Sequence, residues 1–229
     1  MFTQIRIFHE YPSAALLYRR AAEGVERVAA EAIALRGVFR IVLAGGSTPQ
    51  GVYRHLSHIK AEWRAWHVYF GDERCLPVDH PERNSAMADQ AWLEQVGIPP
   101  GQIYRIPAQL GAEAAAAQYS RVLDKLESFD LVLLGLGQDG HTASLFPGQE
   151  WGRVETQAAA VIAVHDAPKP PSDRVSLSAW RLSRSTRVWF LVTGKDKREA
   201  LQSWRRGEGI PAASIVPANE VDIWLAAVY

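Results

Sequence analysis

The chain has 229 residues, 48% of them hydrophobic, enough to bury one sizeable core. α/β folds of this length commonly form a single domain, so one domain over 1–229 is expected. Twenty-five basic residues balance 25 acidic ones, and Cys75 is the only cysteine. That composition excludes a long-range pull toward nucleic acid or an anionic membrane surface, an internal disulfide framework and a cysteine-built zinc cage.

The opening segment, MFTQIRIFHEYPSAALLYRR, lacks the unbroken apolar core of a signal peptide, and no apolar run approaches a membrane span. A soluble, cytoplasmic protein is expected. Helix-like composition covers 12–36, followed by a β-type run at 41–44 (IVLA) and a helical pattern over 49–59. A second strand is predicted at 67–70 (HVYF) and a helix over 83–95. Ala-rich 112–118 makes 112–128 the clearest helix by propensity. The strongest strand, 130–136 (DLVLLGL), precedes 161–164 (VIAV), 188–193 (VWFLVT), a helix over 195–206 and a last strand at 221–225 (VDIWL). This alternation predicts βαβ units, hence an α/β fold: a single doubly wound domain with a mostly parallel β-sheet flanked by helices on both faces. The stretch 168–172 (PKPPS) reads as a loop too short to link domains, and no internal repeat is present.

In an open parallel sheet, ligands bind beyond the carboxyl ends of the strands, so the residues leaving each strand carry the functional information. After 41–44 comes Gly45-Gly46-Ser47-Thr48-Pro49, a tight turn into a helix start where Ser47 or Thr48 can cap. Free amide donors there attract phosphate, although an ordinary capped turn looks the same. The second exit, Gly71-Asp72-Glu73-Arg74, sets two carboxylates beside a guanidinium. Arg74 can grip an anion and Asp72 can orient hydroxyls or accept a proton, against the plainer reading of a surface ion pair. Cys75 is assigned to packing.

The exit after 130–136, Gly-Leu-Gly-Gln-Asp-Gly-His-Thr-Ala-Ser-Leu-Phe-Pro-Gly over 135–148, is the most informative. Gly135, Gly137 and Gly140 have dinucleotide-fingerprint spacing, but the segment lies mid-chain and meets Pro147 within two turns, so no long helix follows. Asp139 and His141 flank Gly140, where the carboxylate can fix the imidazole's tautomer and stabilise its protonated form. The last exit, Thr193-Gly194-Lys195-Asp196-Lys197, offers ammonium groups at a helix start, which a bound anion would explain.

The segments GGSTP, GDERCLPVDHPERNSAMA, GLGQDGHTASLFPG and VTGKDKREAL, in this order from about residue 41 to 201, resemble the glucosamine-6-phosphate isomerase/6-phosphogluconolactonase family, and within it the lactonases. The second and third segments are long and specific; the first and last are short. The resemblance implies a 6-phosphosugar ligand and hydrolysis of 6-phospho-D-glucono-1,5-lactone to 6-phosphogluconate in the oxidative pentose phosphate pathway. Carried over by motif, Gly46, Ser47, Thr48, Asp72, Arg74 and Lys197 would bind substrate, and Asp139 with His141 would form the catalytic pair. Arg174, after the Pro-rich loop, matches a family Arg near the substrate. The resemblance also implies Lys197 rather than Lys195, because its place three residues after Gly194 matches the family's Gly-x-x-Lys. The deaminase branch follows Gly-His with an Ile-Ala-Phe-Asn-Glu-Pro-like run, whereas Thr142-Ala143-Ser144-Leu145-Phe146-Pro147 lacks the Asn-Glu pair.

The expected chemistry has neutral His141 take a proton from water attacking the lactone carbonyl, then return one to the departing ring oxygen. Backbone N–H groups around Gly45–Gly46 or Gly135–Gly140 are alternative oxyanion donors. No metal or cofactor is predicted, and no nucleic-acid, membrane or obligate protein partner. His55 and His58 share a helical face without a further ligand and read as surface residues. The rivals are a sugar-phosphate isomerase or deaminase and a non-catalytic sugar-phosphate sensor.

Overall fold

The computed structural model describes residues 4–152 and 158–229. Its strands among these residues are β1 (Arg6–Tyr11), β2 (Phe39–Leu43), β3 (Trp66–Phe70), β4 (Asp72–Arg74), β5 (Ile103–Tyr104), β6 (Phe129–Leu134), β7 (Val161–Val164), β8 (Arg174–Leu177), β9 (Ser185–Thr193) and β10 (Val221–Ala226). The helices are α1 (Ala14–Arg36), α2 (Ser47–Leu56), α3 (Asn84–Ala91), α4 (Ala112–Leu123), α5 (Ala179–Ser183) and α6 (Arg198–Arg205). Seven strands form the central sheet in the order β1-β10-β9-β6-β2-β3-β5, and every pairing in it is parallel. A small antiparallel sheet, β4-β8-β7, stands beside it. The expected doubly wound α/β architecture is what forms.

β6 lies in the middle of the central sheet, and all six of its residues, Phe129-Asp-Leu-Val-Leu-Leu134, are buried. A strand covered on both faces reads as a continuous apolar run, and each fully buried Leu or Val contributes about 1.5–3 kcal/mol. α1 starts where the Ser13 hydroxyl accepts from the Leu16 N–H and stops at Gly37, whose left-handed φ of 72° lets its N–H reach the Ile33 carbonyl. Its buried stripe, Leu17, Ala21, Val25, Val28 and Ala32, repeats every three or four residues. A Cβ at Gly24 would stand 2.7 Å from the Trp189 ring, so α1 lies directly on that side chain. Phe190, the next residue of β9, points to the opposite face, where Trp204 of α6 meets it edge-on at 4.6 Å. Helices therefore cover both faces.

Several elements differ from expectation. The strand at 161–164 forms, but in the small antiparallel sheet. β4 and β8 were not expected, because Asp-Glu-Arg and Arg-Val-Ser-Leu have poor strand character; their burial and partners decide the conformation instead. β1, at the sheet edge, has no buried residue and merges in sequence with the helix pattern that follows. β5 has two residues and α5 five, too few to register as periodic. The helix expected over 83–95 ends at Ala91, and the one over 112–128 at Leu123. No helix among the described residues is long and apolar enough to cross a membrane.

The strand order places the ligand crevice. From β2 the chain moves outward to β3 and β5, then returns to β6 on the other side of β2 and proceeds to β9 and β10. The reversal falls between β2 and β6, and the crevice opens beyond their carboxyl ends. Gly45 and Gly135 leave those two strands as neighbours: a Cβ on Gly135 would lie 4.0 Å from the Gly45 carbonyl oxygen.

Candidate active site

At the β2 exit, Gly46 is the N-cap of α2, with φ 99°, and no side chain caps the helix. Ser47 and Thr48 are thus its first two residues rather than its cap, a correction to the expected capping role. Their N–H groups have no acceptor within the helix and face the crevice with the positive end of the helix dipole. The Thr48 hydroxyl lies 2.7 Å from that of Thr193, joining the exits of β2 and β9. After Thr193 a single turn over Lys195–Lys197 carries Lys197 to the cleft, its Nζ 2.9 Å from an Asp196 carboxylate oxygen. Lys195 is exposed and does not line the cleft.

The Asp-Glu-Arg triplet is no surface ion pair. Glu73 is fully buried, accepting from the N–H groups of Arg74, Asn84 and Ser85 at 2.8–2.9 Å, with the Arg83 guanidinium at 3.4 Å. It anchors the start of α3 and so fixes Asn84, whose amide donates to the Asp72 carboxylate at 3.0 Å. Asn84 packs so tightly on the β2 exit that a Cβ at Gly45 would stand 2.0 Å from its side-chain oxygen. The second Asp72 oxygen accepts from the Ser144 hydroxyl at 2.6 Å. Burial pushes the Asp72 carboxyl above the usual carboxylate range, against the Ser144 hydrogen bond and the Arg174 charge. Arg74 reaches the cleft and donates to the Glu82 carbonyl at 2.9 Å. Cys75 is half-buried, and burial raises its thiol to about 11, which suits the packing role assigned to it.

Between β6 and the small sheet, residues 135–148 form a loop with no helix after it. Gly137 donates its N–H to the His141 carbonyl at 2.8 Å, folding the loop back on itself. This brings His141 Nδ1 to 2.5 Å from Asp139, whose same oxygen accepts from the His141 backbone N–H at 3.2 Å. The carboxylate fixes the proton on Nδ1 and leaves the Nε2 lone pair without a partner among the described residues. Burial holds the imidazole below its ordinary value of 6.5, outweighing the hydrogen bond and charge of Asp139 that pull it up. Asp139 lies below the usual carboxylate range: burial raises it, but the hydrogen bond and charge of His141 prevail. The His141 ring lies 4.8 Å from that of Phe146, and Ala143 between them holds a left-handed φ of 47°.

Arg174 opens β8 beneath the Pro-rich loop. It is buried, donates Nε to the Pro171 carbonyl at 3.1 Å and Nη2 to those of Lys169 and Pro170 at 2.8 and 3.3 Å, and sits 5.5 Å over Phe146. Most of its donors therefore hold the loop, and the loop presents Lys169 to the cleft.

These exits enclose one cleft of about 320 Å³. Gly46, Ser47, Thr48, Asp72, Arg74, His141, Arg174 and Lys197 all line it, while Asp139 stands behind His141. Asn84, Phe146 and Lys169 also line the cleft, and Ser144 meets it through Asp72; none was assigned a role from sequence. Asn84 stood in the polar segment after Arg74, and Lys169 inside the Pro-rich loop, so position relative to Arg74 and Arg174 was the available signal.

The chain is also similar to known proteins over most of its length. The family model for glucosamine-6-phosphate isomerases/6-phosphogluconolactonase matches residues 12–224. A 6-phosphogluconolactonase of Mycobacterium tuberculosis is 36% identical over 242 residues, covering 98% of this chain and 96% of that one. The chloroplastic 6-phosphogluconolactonase 3 of Arabidopsis thaliana is 35% identical over 207 residues and 82% of this chain, which spans 63% of that relative's length. The crystal structure of 6-phosphogluconolactonase from Thermotoga maritima is similar with a TM-score of 0.86 at 27% identity, covering 97% of this chain and 99% of that one. The chain belongs to the glucosamine-6-phosphate isomerase/6-phosphogluconolactonase family.

Proposed function

We propose that this cleft hydrolyses 6-phospho-D-glucono-1,5-lactone to 6-phosphogluconate, the lactonase step of the oxidative pentose phosphate pathway, with His141 as general base. The observation that carries the reading is one cleft with an anion grip and a base at separate places. The bare α2 terminus and Lys197 supply the first, and the Asp139-braced imidazole of His141 the second. The lactonase names of the similar proteins support it.

With phosphate seated on Ser47, Thr48 and Lys197, the sugar extends past Asp72 and Arg74 toward His141. His141 Nε2 takes a proton as a water oxygen bonds to the lactone carbonyl carbon. Asp139 stabilises the imidazolium that results. As the bond from that carbon to the ring oxygen breaks, the imidazolium returns the proton to the departing oxygen, and a carboxylic acid that ionises at neutral pH remains. Burial keeps the imidazole neutral and ready at that pH.

The segment after His141 favours hydrolysis over amine loss. Thr142 and Ser144 donate their hydroxyls to the Gly135 carbonyl and to Asp72, and Thr142–Pro147 carries no carboxylate to act on a second proton. Lactone loss timed above the spontaneous background tests the proposal: His141→Gln lowers the enzymatic rate by about 10²-fold or more. An unchanged rate removes His141 from the mechanism. Ammonia release from glucosamine 6-phosphate would select the deaminase reading, and tight phosphosugar binding with no turnover the sensor.

A further inference from the structure

The Pro-rich loop has no role in the chemistry just described, yet it forms a wall of the cleft. Arg174 binds three consecutive carbonyls of this loop, those of Lys169, Pro170 and Pro171. Two prolines restrict the backbone further, so the Lys169 main chain is held in place and its side chain alone remains free to move. The contacts His141–Phe146, Phe146–Arg174 and Arg174–Lys169 run in series. They put Lys169 on the imidazole's side of the cleft, whereas Lys197 follows Thr193, beside Thr48 and the α2 terminus.

The other cations of the cleft are partly engaged. Arg174 serves the loop carbonyls, Arg74 donates to Glu82 and Lys197 pairs with Asp196. Lys169 Nζ has no hydrogen-bond or ion-pair partner among the described residues. Hydrolysis of a phosphosugar lactone creates negative charge twice at the carbonyl end, first on the oxyanion and then on the product carboxylate. A cation fixed beside the base meets both.

We propose that Lys169 is a further catalytic residue: its ammonium faces the C1 oxygens of the sugar, stabilising the oxyanion as water adds and holding the carboxylate of the product. This rests on the lactonase reading above. The same charge also lowers the His141 pKa, so it helps keep the base neutral.

The test uses the full chain with Lys169→Gln and Lys169→Arg, and two probes that share a phosphate but differ at C1: 6-phosphogluconate and sorbitol 6-phosphate. Lys169→Gln is expected to lower kcat about tenfold or more. It should also weaken calorimetric binding of the acid by about tenfold while leaving the polyol within about twofold. The acid limb of kcat/KM should move to higher pH, because Asp139 and Asp72 still face the imidazole while the opposing cation is gone. Lys169→Arg should recover most of the activity. Equal weakening of both probes would place Lys169 on the phosphate and overturn the proposal, as would an unchanged kcat. A wild-type protein inert toward the lactone defeats the underlying reading instead, and the binding contrast, which needs no turnover, still locates Lys169.

Discussion

Gly137→Ala isolates the geometry of the base from its chemistry. A Cβ at this position would stand 2.0 Å from His141 Nδ1 and 2.6 Å from the Asp139 oxygen that Nδ1 contacts. The imidazole must retreat by about 1.5 Å to restore ordinary contact, which breaks its hydrogen bond to Asp139. A displacement of about 1 Å at a reacting group costs on the order of 10²-fold in rate, so lactone turnover should fall about a hundredfold or more. Stability should change little, within about 1 kcal/mol, because Gly137 does not have a positive φ and the His141 side chain, 19% exposed, has room to swing outward. Steady-state lactonase assays with urea unfolding of the same preparation measure both quantities. Gly101→Ala, where a Cβ meets nothing within 4 Å, is the control. Activity of Gly137→Ala within about threefold of wild type would refute the claim that this hydrogen bond positions the base.

The pH dependence follows from the imidazole. In the proposed mechanism the neutral form acts, and burial holds its pKa below 6.5, so kcat/KM should rise from acid with a midpoint under that value and level off by neutrality; a midpoint above 6.5 contradicts the assignment. Glu73→Gln should destabilise the fold by about 3 kcal/mol in urea unfolding, because the buried Arg83 loses its counter-charge; a change below about 1 kcal/mol would show that the pair contributes little. The same variant should lose lactonase activity beyond its unfolded fraction, since Asn84 and Asp72 depend on the Glu73 anchor.

The parts legible in sequence were those whose signal is local. β6 is apolar at every position but Asp130 because it is buried on both faces, and the Asp139-Gly-His141 arrangement is compact enough for its hydrogen bond to follow from spacing. The preference for Lys197 over Lys195 rested on the family resemblance, and of the two side chains it is Lys197 that lines the cleft. What stayed hidden depends on residues far apart in the chain. β4 is a strand of three charged residues that forms because Glu73 finds its donors in Arg83, Asn84 and Ser85, and nothing in Asp-Glu-Arg alone signals that. Asn84 and Ser144 join one carboxylate from opposite sides, 60 residues apart in sequence, and only the folded chain brings them together. Lys169 reaches the cleft because Arg174 folds the Pro-rich loop over itself.

A crystal structure with 6-phosphogluconate bound tests the central claim most directly. The account predicts phosphate on the Ser47 and Thr48 amides and Lys197, with the carboxylate carbon at the His141 end and His141 Nε2 within hydrogen-bond reach of a C1 oxygen. A ligand seated with its phosphate against His141, or with C1 out of that reach, would contradict it.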